Sequence, residues 1–346
     1  MNIYDTATLI GVVQNLKQPS SFLLDTFFPY SVLSDDEFIA IDVEFGVRAI
    51  APFSDPAMQG TVIEDTKFDT NQFKPAYIKP KTALDLKKPI RRQIGESIGG
   101  NLSAGDRAMY HVVDMLAKHI AYIDRRLEWM AASALQDGTI LVSGDGFQDR
   151  TVDFKRSGDL TLTLSGSDIW ADTLIATNIK PTSDIEKWCT LILKKSGAVV
   201  TDVVFTPKAW ERFQLDQKIF KGAIQMPVLN PSGNMVNPGT QVQVGGVFKG
   251  YWGNLRLWLY NDWFVDPKDG VEKPMLKDGS VILSGPQLQG TRAFGAIMDP
   301  AFDYGAMAYA PKSWLQEDPA QRFVMTQSAP MIIPSRVNAS FCATVA

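Results

Sequence analysis

Side chains able to exchange a proton or hold a metal near neutral pH are scarce in this chain. It has two histidines, His111 and His119, and two cysteines, Cys189 and Cys342, among 346 residues. The histidines are eight positions apart with no His-Glu-x-x-His pattern between them, so they could not grip zinc together, and both read as hydrogen-bonded surface residues. Two cysteines are too few for a disulfide framework or a four-cysteine metal site. Cys189 has no evident histidine partner and falls on an apolar helical stripe, which makes it a packed thiol, and no Gly-x-Ser-x-Gly elbow supplies another nucleophile. Asp35, Asp36 and Glu37 cluster without the spacing of a general acid and base, and read as a solvated face or a helix start. Gly99-Gly100 and Gly245-Gly246 lack the spacing of a phosphate-cradling loop. Lys87-Lys88, Arg91-Arg92 and Arg125-Arg126 have no interleaved aromatic platform, so they could touch phosphates weakly or stay solvated. The expectation is a protein with no catalytic, cofactor-binding or metal-binding residues and no enzymatic activity.

The composition allows a large folded core. Hydrophobic residues make up 45% of the chain and charged residues 21%, and 34 Lys and Arg against 38 Asp and Glu give a formal net charge of −4. Such a balance creates no strong field toward nucleic acid or anionic lipid. The opening residues lack a secretory signal, and no stretch reaches the roughly 18 apolar residues needed to span a bilayer. A soluble chain, intracellular when made, is expected.

The strongest periodicity runs through Met109, Val113, Leu116, Ile120, Ile123, Leu127, Met130 and Ala134 at alternating spacings of four and three, which places them on one stripe of a helix over 104–137. Ser103 and Asp106 supply a cap, Gly138 a stop, and His111, Asp114, Lys118 and Arg125 a polar face. The stripe suits a helix laid across a sheet, with a two-stranded coiled coil as the alternative. Before this helix, the first 45 residues mix Phe22-Leu23-Leu24 and Phe27-Phe28 with prolines and serines. They read as an arm whose aromatics must dock elsewhere on this subunit or on another. Residues 58–92 read as a proline-flanked β-hairpin with a polar turn at Asp69 to Gln72.

After the long helix, Thr139 to Phe154 reads as strand, turn and strand, and 157–180 as a polar connection. A helix with a Ser183–Glu186 capping box ends near Gly197, a strand covers Val199 to Phe205, and Thr206-Pro207 opens a helix carrying Trp210 and Phe213 inward. Further strands are expected at Leu255 to Tyr260, Val281 to Leu283 and Phe294 to Met298, which completes an α+β reading. No charged side chain occurs from Gly222 to Phe248. That segment is either a neutral flexible loop or one that meets its own image at a symmetry axis, where like charges would repel.

The run Pro311-Lys312-Ser313-Trp314, Asp318-Pro319-Ala320, Phe323, Met325 and Gln327-Ser328-Ala329-Pro330 followed by Met331-Ile332-Ile333 resembles the major head proteins of the phage lambda family. Similar fragments recur in order along nearly the whole chain. They include Phe22-Leu23 with Phe27-Phe28, Pro75-Ala76-Tyr77-Ile78-Lys79-Pro80-Lys81, Gly138 with Ser143-Gly144, Val152-Asp153 and Arg156-Ser157, and Phe205-Thr206-Pro207-Lys208-Ala209-Trp210. The likeness is weakest over 160–180 and 222–248.

The resemblance implies an HK97-like capsid fold of the α+β class: an N-terminal arm (1–45), an extended β-hairpin loop (46–92), a peripheral domain (93–180) with its spine helix (104–137), an axial domain (181–310), and a C-terminal return to the peripheral domain (311–346). It implies a structural protein that self-assembles into the hexamers and pentamers of an icosahedral phage head, assembled in the host cytoplasm and located in the virion. Its partners would be many copies of itself, double-stranded DNA held non-specifically, a scaffolding protein, a portal and a decoration protein, with no membrane and no cofactor. Candidate subunit contacts are then Phe22, Phe27 and Phe28 in the arm; Asp69, Asn71, Phe73, Tyr77 and Lys79 in the extended loop; and Met226, Val228 and Met235 in the uncharged loop. An encapsulin-like compartment, a carboxylate-dependent hydrolase and a tail or adaptor protein are the competing readings.

Overall fold

The apolar stripe over 104–137 forms one unbroken helix. In the computed structural model, which describes residues 4–16, 21–36, 38–45, 53, 67–84, 103–144, 149–171, 180–216, 242–243, 245–318 and 321–346, this is helix α3 (Ala104–Asp137), preceded by α1 (Thr6–Asn15) and α2 (Phe22–Phe27). Its ends follow from capping chemistry. The Asp106 N–H donates to Ser103 Oγ and the Ser103 N–H to the Asp106 carboxylate, both at 3.1 Å, so two otherwise unpaired donors are satisfied. Gly138 sits at φ 68°, a region that strains any residue with a Cβ. Arg156 donates to the open carbonyls of Leu135 and Gln136. Leu116, Ile120, Ile123, Leu127, Met130 and Ala134 are buried, Met109 and Val113 half-buried, and Asp114, Lys118 and Arg125 exposed.

Among the described residues, a seven-stranded mixed sheet runs in the order Thr161–Thr163, Phe341–Thr344, Ser280–Ser284, Asp202–Phe205, Leu255–Tyr260, Gly246–Trp252 and Val242–Gln243. Helices α4 (Pro181–Ser196) and α5 (Pro207–Gln214) accompany it. A three-stranded sheet joins Tyr30–Leu33 in parallel to Gly290–Phe294, which pairs antiparallel with Pro330–Pro334. Another joins Ala310–Gln316, Gln321–Gln327 and Lys81–Leu84. Two-stranded ribbons form between Ile39–Phe45 and Lys67–Phe73, Thr139–Val142 and Arg150–Asp153, and Trp263–Val265 and Glu272–Pro274.

The C-terminal half of α3 ties these layers into one core that includes Ile123, Leu127 and Met130, α2, and the fully buried strand Ser280–Ser284. The N-terminal half packs Val112, Met115, Leu116 and Ile120 against Leu9 and Val13 of α1 and against Leu84 and Val324.

Several local expectations are corrected. Asp69 to Gln72 is not a turn but lies inside strand Lys67–Phe73, which pairs without interruption against Ile39–Phe45; the long register satisfies backbone groups that a turn would leave to water. The Ser183–Glu186 box does not form, because α4 already begins at Pro181, whose fixed φ suits a first helical position. The buried Asp216 supplies the missing cap, accepting from the Thr182 N–H and hydroxyl at 3.0 and 2.8 Å. The strand expected at Phe294 to Met298 ends at Phe294. Phe213 is buried as expected, while Trp210 is only half-buried. The stretch from 157 to 171 also carries core residues, Leu160 and Trp170.

Candidate subunit-contact surfaces

Phe22, Phe27 and Phe28 do not offer surface to a neighbour. All three are fully buried in this chain's own core, which corrects their assignment as subunit contacts. Phe22 packs on Trp258 and Tyr260 with ring centroids 4.9 and 5.7 Å apart. Close approach requires glycine opposite: a Cβ at Gly246 would fall 2.4 Å from the Phe22 ring, and one at Gly290 would fall 2.1 Å from the Phe27 carbonyl oxygen. The physical reason is that a six-residue helix with an apolar face gains by docking on the nearest apolar wall, and α3 together with the seven-stranded sheet provides one.

Polar groups that the sequence did not single out hold α2 at both ends. Glu128 of α3 accepts the N–H groups of Leu23 and Leu24 at 2.9 and 3.0 Å and the Tyr260 hydroxyl at 2.9 Å. Burial pushes its carboxyl up to about 7, against the opposing pull of these donors. At the other end, Arg292 donates to the Phe28 carbonyl at 2.7 Å and to Asp25 at 2.8 Å. One turn back along α3, Asp124 accepts from the Tyr309 hydroxyl, and burial pushes its carboxyl up to about 6. The available signal was two carboxylates, 124 and 128, each next to a stripe residue.

Tyr77 is half-buried and anchored to its own chain. Its hydroxyl donates to the Ala296 carbonyl and accepts the Met298 N–H, so it roots the preceding segment instead of projecting from it. Lys79 is exposed, its ammonium 4.8 Å from the Tyr77 ring centroid. Asp69, Asn71 and Phe73 occupy register positions opposite Val43, Ile41 and Ile39. Met226, Val228 and Met235 lie outside the described residues. The structure therefore brings Tyr77 and Lys79 together and separates them from the arm aromatics.

The reactive residue types are structurally committed. His119 is buried rather than surface-exposed, bonded to the hydroxyls of Thr82 at 2.8 Å and Thr326 at 3.2 Å, and burial pushes it down to about 4. Burial raises the thiols of Cys189 and Cys342 to about 11 and 12, away from the thiolate that a nucleophile requires. Asp35 accepts the Ala306 N–H. Among the described residues, no three His, Cys, Asp or Glu side chains gather as metal ligands, and no helix is long and apolar enough to cross a membrane.

Exposed apolar surface lies elsewhere. Tyr30, Val32 and Leu33 stand on a sheet edge, and Trp263, Val265 and Val271 on the ribbon Trp263–Pro274. Beside that ribbon, two clefts on the flank of α3 share Arg126, Trp129 and Pro267.

Comparison with known proteins places this arrangement in context. The sequence model of the family described as Phage major capsid protein E matches residues 5–345. The major capsid protein of Escherichia phage lambda is 29% identical over 340 residues, and that of Enterobacteria phage P21 is 28% identical over 339, each match covering 96% of both chains. Among solved structures, a prophage capsid protein from Escherichia coli CFT073 superposes with a TM-score of 0.73 at 21% identity over 99% of both chains. A phage-related protein from Bordetella bronchiseptica gives 0.55 at 12% identity, over 99% of this chain and 97% of that one.

Proposed function

The chain belongs to the phage major capsid protein E family, and from that premise we propose how it builds a phage head. It is a structural protein of the virion capsid, not an enzyme, and it has the HK97-like fold. The observation that carries this reading is the family match across residues 5–345, supported by the superposition of the whole fold.

Self-association is the activity: copies meet in a multi-copy shell. In the proposed mechanism, head-to-tail contacts close into rings of five and six, and small changes in bend let one sequence occupy both. Each contact is modest, about 1,000 Å² or somewhat more, so misplaced subunits can leave before the shell closes. The proposed division is an arm (1–45), an extended loop (46–92), a peripheral domain (93–180), an axial domain (181–310) and a return (311–346). The burial of α2 restricts any swinging part of the arm to what flanks it. The uncharged loop at 222–248 would face its own image around each ring axis.

Scaffolding protein, a portal and a decoration protein are the proposed further partners. Packaged double-stranded DNA would be held non-specifically, and a net charge of −4 favours weak contact that permits packing and release. Negative-stain microscopy of the chain, expressed alone and with its neighbouring phage genes, tests the proposal. Hollow round particles are the expected result, and small discrete oligomers under every condition would count against it.

A further inference from the structure

The two clefts beside α3 form one groove, about 350 Å³ on its Tyr122 side and about 480 Å³ on its Tyr77 side. Its floor is apolar, with half-buried Trp129 and Phe264 and with Leu141 about half exposed. Three cations line it. The Arg126 guanidinium lies 5.2 Å from the Trp129 ring centroid, Lys79 covers Tyr77, and Arg125 is exposed. Among the described residues none of the three makes an ion pair with a carboxylate, although Asp266 acts on Arg126 through space. The nearby Asp266 and Asp269 are taken by Lys273 at 2.5 and 2.7 Å. Burial also lowers the pKa of Arg126, the sign of a cation short of solvent.

The chain presents a complementary shape elsewhere. Strands Ala310–Gln316 and Gln321–Gln327 pair along their full length, and Trp314 stacks on Phe323, so the strand leading to the tip at Leu315–Asp318 is firmly paired. At that tip Leu315 is 56% exposed, and Glu317 and Asp318 are exposed with no cationic partner among the described residues.

We propose that this groove receives the Leu315–Asp318 tip of a second copy, the leucine on the apolar floor and the two carboxylates against Arg125, Arg126 and Lys79. Opposite charges around an apolar anchor set register and partner choice at such a contact. The tip cannot reach the groove of its own chain. Thr326 is bonded to His119, and from Thr326 back to Gln321 the strand runs about 17 Å toward the N-terminal half of α3, where Val324 packs with Val112 and Met115. Arg126 lies about 10 Å along α3 in the other direction. Tip and groove are thus two different surfaces of one molecule, and joining them across copies is a heterologous contact, the kind that closes rings or shells. The contact rests on the self-assembly reading and specifies one interface within it.

Assembly of three variants tests it, read by sedimentation and negative stain, with circular dichroism confirming that unassembled subunits are folded. Arg126→Glu alone, and Glu317→Lys with Asp318→Lys, should each lower the assembled fraction tenfold or more. Arg126→Glu combined with Glu317→Lys alone should restore it, because the introduced pair is again of opposite sign while Asp318 still faces Arg125 and Lys79. A second measurement does not depend on charge: Leu141→Cys with Leu315→Cys, in a Cys189→Ser background, should yield disulfide-linked chains in oxidised particles. Normal assembly of the single reversals, failure of the combined variant to recover, or assembled particles without the disulfide would each overturn the contact while leaving the capsid reading intact. Particles of Arg126→Glu that form normally but retain less DNA would reassign the groove to nucleic acid and also overturn it. A wild-type chain that forms no shell under any condition would sink both.

Discussion

Glu128 and Leu24 are 104 positions apart in the chain, yet the carboxylate of one accepts the backbone N–H of the other at 3.0 Å, inside the core. With the Leu23 N–H and the Tyr260 hydroxyl, this makes Glu128 the point where the leading segment is fastened to the spine helix.

That fastening should be sensitive to pH. The carboxyl rises from its ordinary 4.5 to about 7 on folding, so the folded state binds the proton more tightly than the unfolded one. Its contribution is therefore greatest below about 4.5 and is lost as pH rises toward 7, by up to about 3 kcal/mol in all. His119 acts in the opposite sense between about 4 and 6.5, so the comparison between variants isolates Glu128. Urea midpoints of unassembled subunits from pH 5 to 8 should fall less steeply for Glu128→Gln than for wild type. Parallel curves would show that another group carries the dependence.

A substitution at Gly290 should loosen α2 from the other side. In Gly290→Ala the new Cβ would meet the Phe27 carbonyl oxygen, a backbone atom that can yield only if the helix shifts. A loss of about 1–3 kcal/mol is expected, together with faster proteolytic cleavage after residues 21–33. Unchanged cleavage and stability would show that α2 adjusts without cost.

His119 should remain neutral through the physiological range, because burial among Thr82, Thr326 and apolar neighbours pushes it down to about 4. The depressed value makes its contribution present above 6.5 and lost as pH falls toward 4. Its imidazole NMR resonance should hold constant from pH 8 to about 5. A titration midpoint near 6.5 would contradict the burial.

Removing the remote cap on α4 should cost stability without disturbing the fold. Asp216→Ala leaves the Thr182 N–H and hydroxyl without their acceptor, and about 1–2 kcal/mol of destabilisation is expected in a denaturant titration. An effect within error would mean that water replaces the carboxylate.

Much of the architecture was legible along the chain. The apolar spacing from Met109 to Ala134, the Ser103 and Asp106 cap, and the Gly138 stop are local properties, and α3 spans the predicted residues. The strand Leu255–Tyr260 and the helix opening at Pro207 were readable for the same reason. Residues whose partners are distant were misread. Asp69 to Gln72 reads as a turn until Ile39–Phe45 lies beside it, and Ser183 reads as a cap until Asp216 takes that role.

The same division applies to the candidate contacts. The sequence by itself determined that Phe22, Phe27 and Phe28 must be hidden from water, because apolar area drives its own burial wherever it sits. Only the tertiary structure decided what hides them: the chain's own Trp258, Tyr260 and Gly290 rather than a sister molecule. Hydrophobicity is a property of each residue and can be read one position at a time. Which surface covers it, like which donors meet Glu128, depends on how distant segments converge, and that is settled only when the chain closes on itself.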